Sequence, residues 1–375
     1  MRTLFFTHKL LYALIAILLL LCAACSESEP VKLGFIGNTT GEGQDLGIGG
    51  RDGVILAIEE VNETGGIAGR PVFMVPRNSQ NQPETAQAIL EYMVEKRVQG
   101  VVGPMTNRMS MAAVQKLQEF GVVLISPTAN IEELQTRDDR FFSIYPAVKD
   151  IAFKLATLAV ETRKYKRISV IYDLSNREYT EPFQDHFSEA IARLGGQVVQ
   201  RISYTTRDDT EYQLLTRQAI ENNPDALLIL AGPRDTAMLC RQLRIRTERI
   251  GILVSEWSTS DQTIYHGGSA VEGIDFFQSY DKSDRSVDYH LFRQRFLARF
   301  HYEPSVASMH AYEAAQILLL MFPQVKNADQ LQRKIIERSE FEGLQTKIVF
   351  DEFGDPQRPL VLKTIKNGMT ITAGH

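Results

Sequence analysis

The chain has 375 residues, of which 44% are hydrophobic and 23% charged, and a formal net charge of −5. That length exceeds what one compact core usually fills and suits two lobes. The acidic balance excludes the basic footprint of a nucleic-acid binder, and the composition excludes a disordered or repetitive chain.

In chain order, Arg2 and Lys9 precede an uncharged apolar run at 10–21. The run is shorter than the roughly 20 residues that cross a bilayer. Ala23 and Ala24 follow it, so 1–24 read as a secretory signal that is removed. The segment Leu21-Cys22-Ala23-Ala24-Cys25 resembles a bacterial lipoprotein cleavage site, with Cys22 where that motif has Leu. The resemblance makes Cys25 the lipidated first residue and 25–30 a tether. About two or three acyl chains there would anchor the protein to a membrane of the bacterial envelope, on its periplasmic or extracellular face. Cys240 is then left alone beside Met238, Leu239 and Leu243, as a buried, inert thiol. Neither a disulfide framework nor a cysteine metal site is expected.

Residues 31–37 read as a strand. Val54, Ile55, Ile58 and Val61 recur at helical spacing before Gly65-Gly66. Strands at 71–76, 100–103 and 122–125 alternate with helices at 83–96 and 109–120. A second series has helices at 150–162, 178–194, 211–222 and 234–246 and strands at 167–172, 197–202, 226–231 and 250–254. Helices at 288–301, 305–321 and 328–337 follow without strands between them, then strands near 347–350 and 360–365. Alternating strands and helices give parallel sheets covered on both faces. The fold class is therefore α/β, with two doubly wound parallel-sheet lobes and the three late helices packed onto them.

Gly41, Gly43, Gly47, Gly49 and Gly50 fit neither a dinucleotide fingerprint nor a phosphate loop. They are expected to let the backbone turn sharply beside a cleft. Arg241, Arg244, Arg246 and Arg249 read as a solvated face. No zinc His pair, hydrolase elbow or acid–base constellation is present, so no enzyme is expected and no metal or cofactor is called for.

The run Lys32-Leu33-Gly34-Phe35-Ile36-Gly37 is followed by Thr39-Thr40-Gly41, by Gly53-Val54-Ile55-Leu56-Ala57-Ile58-Glu59-Glu60-Val61-Asn62 and by Gly65-Gly66-Ile67-Ala68-Gly69-Arg70. Val101-Val102-Gly103-Pro104, Ile125-Ser126-Pro127-Thr128 and Asn223-Pro224-Asp225-Ala226 come later, then Tyr302-Glu303-Pro304 and the helix at 308–319. In order and spacing, residues 31–366 resemble the branched-chain amino-acid-binding family of type I periplasmic solute-binding proteins, the receptors of ABC importers. The resemblance implies three hinge crossings, near Ala147, near Ser279 and at 350–354. Lobe 1 would hold 31–147 and 280–350, and lobe 2 would hold 148–279 and 351–375. It further implies a lipoprotein that closes on a small ligand, an amino acid or derivative, and delivers it to an ABC permease. The alternative is a sensing subunit that uses the same closure to signal to a membrane partner.

In such sheets ligands sit outside the carboxyl ends of the strands. The helix start at 106–110 offers N–H groups and the side chains of Thr106, Asn107 and Ser110 to a carboxylate, although the same residue types also cap helices. The family places a carboxylate-binding serine where Asn107 stands. In the loop of Ser126, Thr128 and Asn130, the family uses a carbonyl near Thr128 for the ligand ammonium. It uses the side chain at Asn130, usually Thr, for the carboxylate. Two asparagines in one pocket point to a ligand more polar or larger than a branched aliphatic one. Glu256 matches the family's acidic partner of the ligand ammonium, and Trp257 covers the ligand or packs under the loop. Tyr179 is similar to a cleft-lining tyrosine, and Thr40 is a further strand-end candidate.

Overall fold

The computed structural model describes residues 29–41, 44–129, 131–247 and 249–373. The signal segment, Cys25, Gly43 and Asn130 lie outside these residues. The first series comprises β1 (Val31–Gly37), α1 (Gln44–Glu63), β2 (Val72–Asn78), α2 (Ala86–Glu95), β3 (Gly100–Val102), α3 (Asn107–Phe120), β4 (Val123–Ser126) and β5 (Phe141–Ser143). The second comprises α4 (Val148–Thr157), β6 (Arg167–Asp173), α5 (Arg177–Arg193), β7 (Gln197–Tyr204), α6 (Tyr212–Ile220), β8 (Ala226–Leu230), α7 (Pro233–Arg246), β9 (Gly251–Val254), α8 (Asp261–Gly267) and β10 (Asp275–Gln278). Then come α9 (Val287–Phe300), α10 (Val306–Met321), α11 (Ala328–Arg338), β11 (Glu340–Phe341), β12 (Ile348–Phe350), β13 (Pro356–Gln357), β14 (Val361–Lys366) and β15 (Met369–Thr372).

The first sheet is wholly parallel, in the order β2-β1-β3-β4-β5. The second repeats that order as β7-β6-β8-β9-β10 and then adds β14 and β15, both antiparallel. Order reverses between β1 and β3 and again between β6 and β8, which puts a crevice at each carboxyl edge. Central β8, Ala-Leu-Leu-Ile-Leu, is buried at every residue because helices cover both of its faces. Edge strand β2 tolerates Pro76, whose missing N–H costs no ladder bond on an open side. The chain passes between the sheets after β5, after β10 and after β13; the third crossing falls later than the expected 350–354, because β13 still pairs with β12 before β14 joins β10.

Helices α9 to α11 pack on the first sheet. Tyr289, Phe292, Phe296, Leu318 and Leu331 share one core with Leu33, Phe35, Val102 and Val123. Nearly all of α10 is buried, as its apolar circumference requires. Among the described residues no helix is long and apolar enough to cross a membrane.

The glycines after β1 correct the sequence expectation. Gly41 does turn, at φ 81°, but Gly47, Gly49 and Gly50 lie inside α1. They permit close approach instead. A Cβ at Gly47 would sit 2.1 Å from the Asn38 carbonyl oxygen, and one at Gly53 2.1 Å from that of Ser308. The sequence reading also lacked β5, β10, α8, β15 and the two-residue strands β11 and β13. The first two strands are too short to show alternation. The turn into β15 is Asn367-Gly368, with both φ values positive at 53° and 68°, the pattern of a tight hairpin.

Candidate ligand-binding site between the lobes

The lobes touch at several points. Asn107 Nδ2 donates to the Glu178 carbonyl at 3.4 Å, Gln262 Nε2 to Asp45 at 2.8 Å, and His186 Nε2 lies 2.6 Å from Glu132 Oε2. A groove of about 330 Å³ opens at this junction, lined by Glu132, Glu133, Arg177, Glu178, Glu181 and His186. The segments that follow β3, β4, β9 and β10 are linked through Ser126–Pro104, Pro127–His310, His310–Ser279 and Ser279–Glu256.

On the first lobe most candidate hydroxyls bond the protein. Thr106 caps α3, accepting from Met109 N at 3.4 Å, and donates to Asn81 Oδ1 at 2.8 Å. Ser126 donates to the Pro104 carbonyl at 2.7 Å and Thr128 to the Met105 carbonyl at 2.6 Å. Ser110 is buried and reaches the Pro104 carbonyl at 3.5 Å. Asn107 is buried and extends toward the opposite lobe. Thr40 is exposed and pairs with Asn78.

On the second lobe Glu256 opens a short 3-10 turn directly after β9 and is 3% exposed. Its carboxylate accepts from Ser279 N at 3.2 Å and from the Ser279 hydroxyl at 3.2 and 3.3 Å. Burial pushes the Glu256 carboxyl up to about 7, against the opposing effect of hydrogen bonds from Tyr145 and Ser279 and the field of Arg358. Among the described residues no cation forms an ion pair with it. A buried carboxylate ordinarily has such a partner.

Aromatic rings surround this carboxylate. Tyr179, near the start of α5, packs edge-on against Trp257 at 6.0 Å and against Phe183 at 5.7 Å. Its buried hydroxyl makes no hydrogen bond of normal geometry, although Tyr145 and Ser255 flank it. Tyr145 follows the first crossing strand and lies 6.4 Å from the His310 ring. Its hydroxyl is pushed well above the usual tyrosine value, by burial first and then by the Glu256 charge.

Sequence reasoning missed Tyr145, Ser279, His310 and Arg358. His310 Nδ1 donates to the Pro127 carbonyl at 3.0 Å, and Nε2 faces the Ser279 hydroxyl at 3.5 Å. Burial and then Arg358 hold the ring well below its ordinary pKa, so it is neutral. The chain of contacts Glu256–Ser279–His310–Pro127 thus passes from the second lobe into the first across the hinge. Arg358, after β13, pairs with Glu313 of α10 at 2.8 and 3.0 Å, and both side chains are wholly buried. The available signal was His310 and Glu313, two titratable residues three apart in a largely apolar helix. Cys240 is buried as expected, and burial pushes its thiol up to about 12.

The profile of a family described as periplasmic binding protein matches residues 30–369. A Leu/Ile/Val-binding protein of Rhizobium johnstonii is 21% identical over 329 residues, covering 87% of this chain and 88% of the relative. A leucine-binding protein of Thermotoga maritima has the same fold, with TM-score 0.83 at 23% identity over 92% of this chain and 98% of that one. The LivJ substrate-binding protein of Streptococcus pneumoniae, solved with isoleucine, gives TM-score 0.83 at 20% identity over 91% and 97%. A solute-binding protein of R. palustris solved with benzoate gives 0.79 at 18% identity over 92% and 96%.

Proposed function

The chain belongs to the periplasmic binding protein family, and on that premise we propose that it is an extracytoplasmic receptor that closes two lobes on a small ammonium-bearing solute. The solute is an amino acid or a derivative, and the receptor hands it to an ABC importer. The observation that carries this reading is Glu256, a buried carboxylate at the carboxyl end of the second sheet, set between the lobes without a cationic partner among the described residues. A ligand ammonium supplies the missing charge. Relatives named for binding leucine, isoleucine and valine support an amino acid, and the neighbour solved with benzoate shows that this fold also takes other small solutes.

Tyr179 and Trp257 wall the ligand, Asn107 meets it from the first lobe, and the loop at 126–130 closes over it. The first lobe holds 31–147 with 280–357, and the second 148–279 with 358–375. Cys25 carries the lipid that keeps the receptor at the membrane. Binding, not turnover, is the activity.

Trp257 is the only tryptophan in the chain and packs on Tyr179, so its emission reports on the cleft. The mature, unlipidated protein is titrated with amino acids and small organic acids after any bound ligand has been extracted and identified by mass spectrometry. A saturable change with an ammonium-bearing compound is expected. A response to carboxylic acids alone would end the amino-acid reading.

A further inference from the structure

We propose that the outer face of α7 and α8, on the second lobe, is a docking surface for an anionic lipid bilayer. It rests neither on the reading of the cleft nor on a lipid at Cys25. The arginines of α7 are only partly used by the fold. Arg244 is half-buried and donates to the Ile250 carbonyl at 3.0 Å. Arg241, Arg246 and Arg249 are exposed, and among the described residues none of them has a carboxylate partner. Acids are few around them. Asp235 is buried and bonded by Tyr204 and Tyr212, and Asp261 is paired with Lys282. With Glu248 set against the four arginines of 241–249, that segment keeps an excess of three positive charges, in a chain whose formal net charge is −5.

Two apolar side chains project from the same face. Tyr265 on α8 is 84% exposed and Ile245 on α7 is 77% exposed, the highest values for large hydrophobic side chains among the described residues. They share one surface with the arginines. Ile245 stands one helical turn from Arg241, Arg241 Nη1 donates to the His266 carbonyl at 3.5 Å, and the His266 ring meets Tyr265 edge-on at 5.1 Å. At these exposures both side chains stand out from the surface. A rigid protein partner would need a matching socket for each. A fluid bilayer takes in a projecting tyrosine and isoleucine wherever they fall, and its phosphates pair with guanidinium groups on flexible stems. Arginines beside aromatic and aliphatic tips are also the composition of faces that lie at the headgroup level. The acidic remainder of the chain is repelled by such a membrane, so contact through α7 and α8 would fix how the receptor lies on it.

The test is co-sedimentation of the unlipidated chain beginning at Ser26 with two kinds of vesicle, phosphatidylcholine alone and phosphatidylcholine with about 30% phosphatidylglycerol. Partitioning onto the anionic vesicles is expected to be at least about tenfold stronger, and to fall steeply when salt is raised from about 0.05 M to about 0.5 M. Each arginine near the surface contributes about fivefold, so Arg241→Gln combined with Arg246→Gln should weaken partitioning by about twentyfold or more. Tyr265→Ser should weaken it about fivefold. Arg193→Gln is the control, because α5 covers the opposite face of the same sheet, and it should stay within about twofold of the wild type. Equal partitioning onto both vesicles would overturn the inference. So would patch variants that partition like the wild type, or a loss from Arg193→Gln as large as that from one patch arginine. No partitioning onto either vesicle would overturn it as well, and would leave an acidic protein as the partner of this face.

Discussion

In the ligand-free protein the Glu256 carboxyl exchanges water for Tyr145 and Ser279, and the exchange is incomplete, so burial raises it to about 7 from 4.5. A carboxyl raised on folding favours the neutral form. Its contribution to stability is fully present below pH 4.5 and is lost as pH rises through about 7. The loss is on the order of 3 kcal/mol. Thermal unfolding of the ligand-free protein should therefore show stability falling between pH 5 and pH 8. Glu256→Gln should flatten that slope and exceed the wild type at pH 8. Parallel profiles for the two proteins would mean that Glu256 does not titrate in this range.

Two elements hold the site in place, and each makes a prediction. Helix α10 carries Glu313, paired with Arg358 and also accepting from Leu344 N at 2.8 Å. Glu313→Ala leaves a buried guanidinium without its carboxylate and should cost about 3–5 kcal/mol in urea unfolding; a cost under about 1 kcal/mol would show that the pair is not buried in solution. Helix α1 packs on α10 through Gly53, where a Cβ would meet the Ser308 carbonyl oxygen at 2.1 Å. Gly53→Ala forces the helices apart and should cost about 1–3 kcal/mol, measured in the same way. Unchanged stability would mean that the contact is looser than described. The existence of α1 was legible in the spacing of Val54, Ile58 and Val61, but its first ten residues were not. A glycine that serves close packing and one that serves a turn look alike in a sequence. Glu256 was legible through the family resemblance and its place at a strand end. Tyr145, Ser279, His310 and Arg358 were not, because their positions depend on packing between separate elements, from the 23-residue separation of Ser279 and Glu256 to the 183-residue separation of His310 and Pro127.

At the scale of the molecule, the repeated strand order and the three crossings give two lobes that can open about a hinge. Asn107–Glu178, Gln262–Asp45 and His186–Glu132 bridge the lobes, and opening breaks them. Ligand should therefore shrink the radius of gyration in solution scattering. At a hundred times its dissociation constant it should raise stability by about 2.7 kcal/mol. No change in radius on saturation would place binding outside the cleft. The most direct test of the account is the affinity of an ammonium ligand for wild type and Glu256→Gln between pH 5.5 and pH 8.5, measured by calorimetry. The account predicts wild-type affinity level above pH 7 and weakening toward about tenfold per pH unit below it. It predicts a Glu256→Gln variant weaker by about 1.5–3 kcal/mol at pH 8 and indifferent to pH. Wild-type affinity that does not change with pH, or a Glu256→Gln variant that binds as tightly at pH 8, would contradict it.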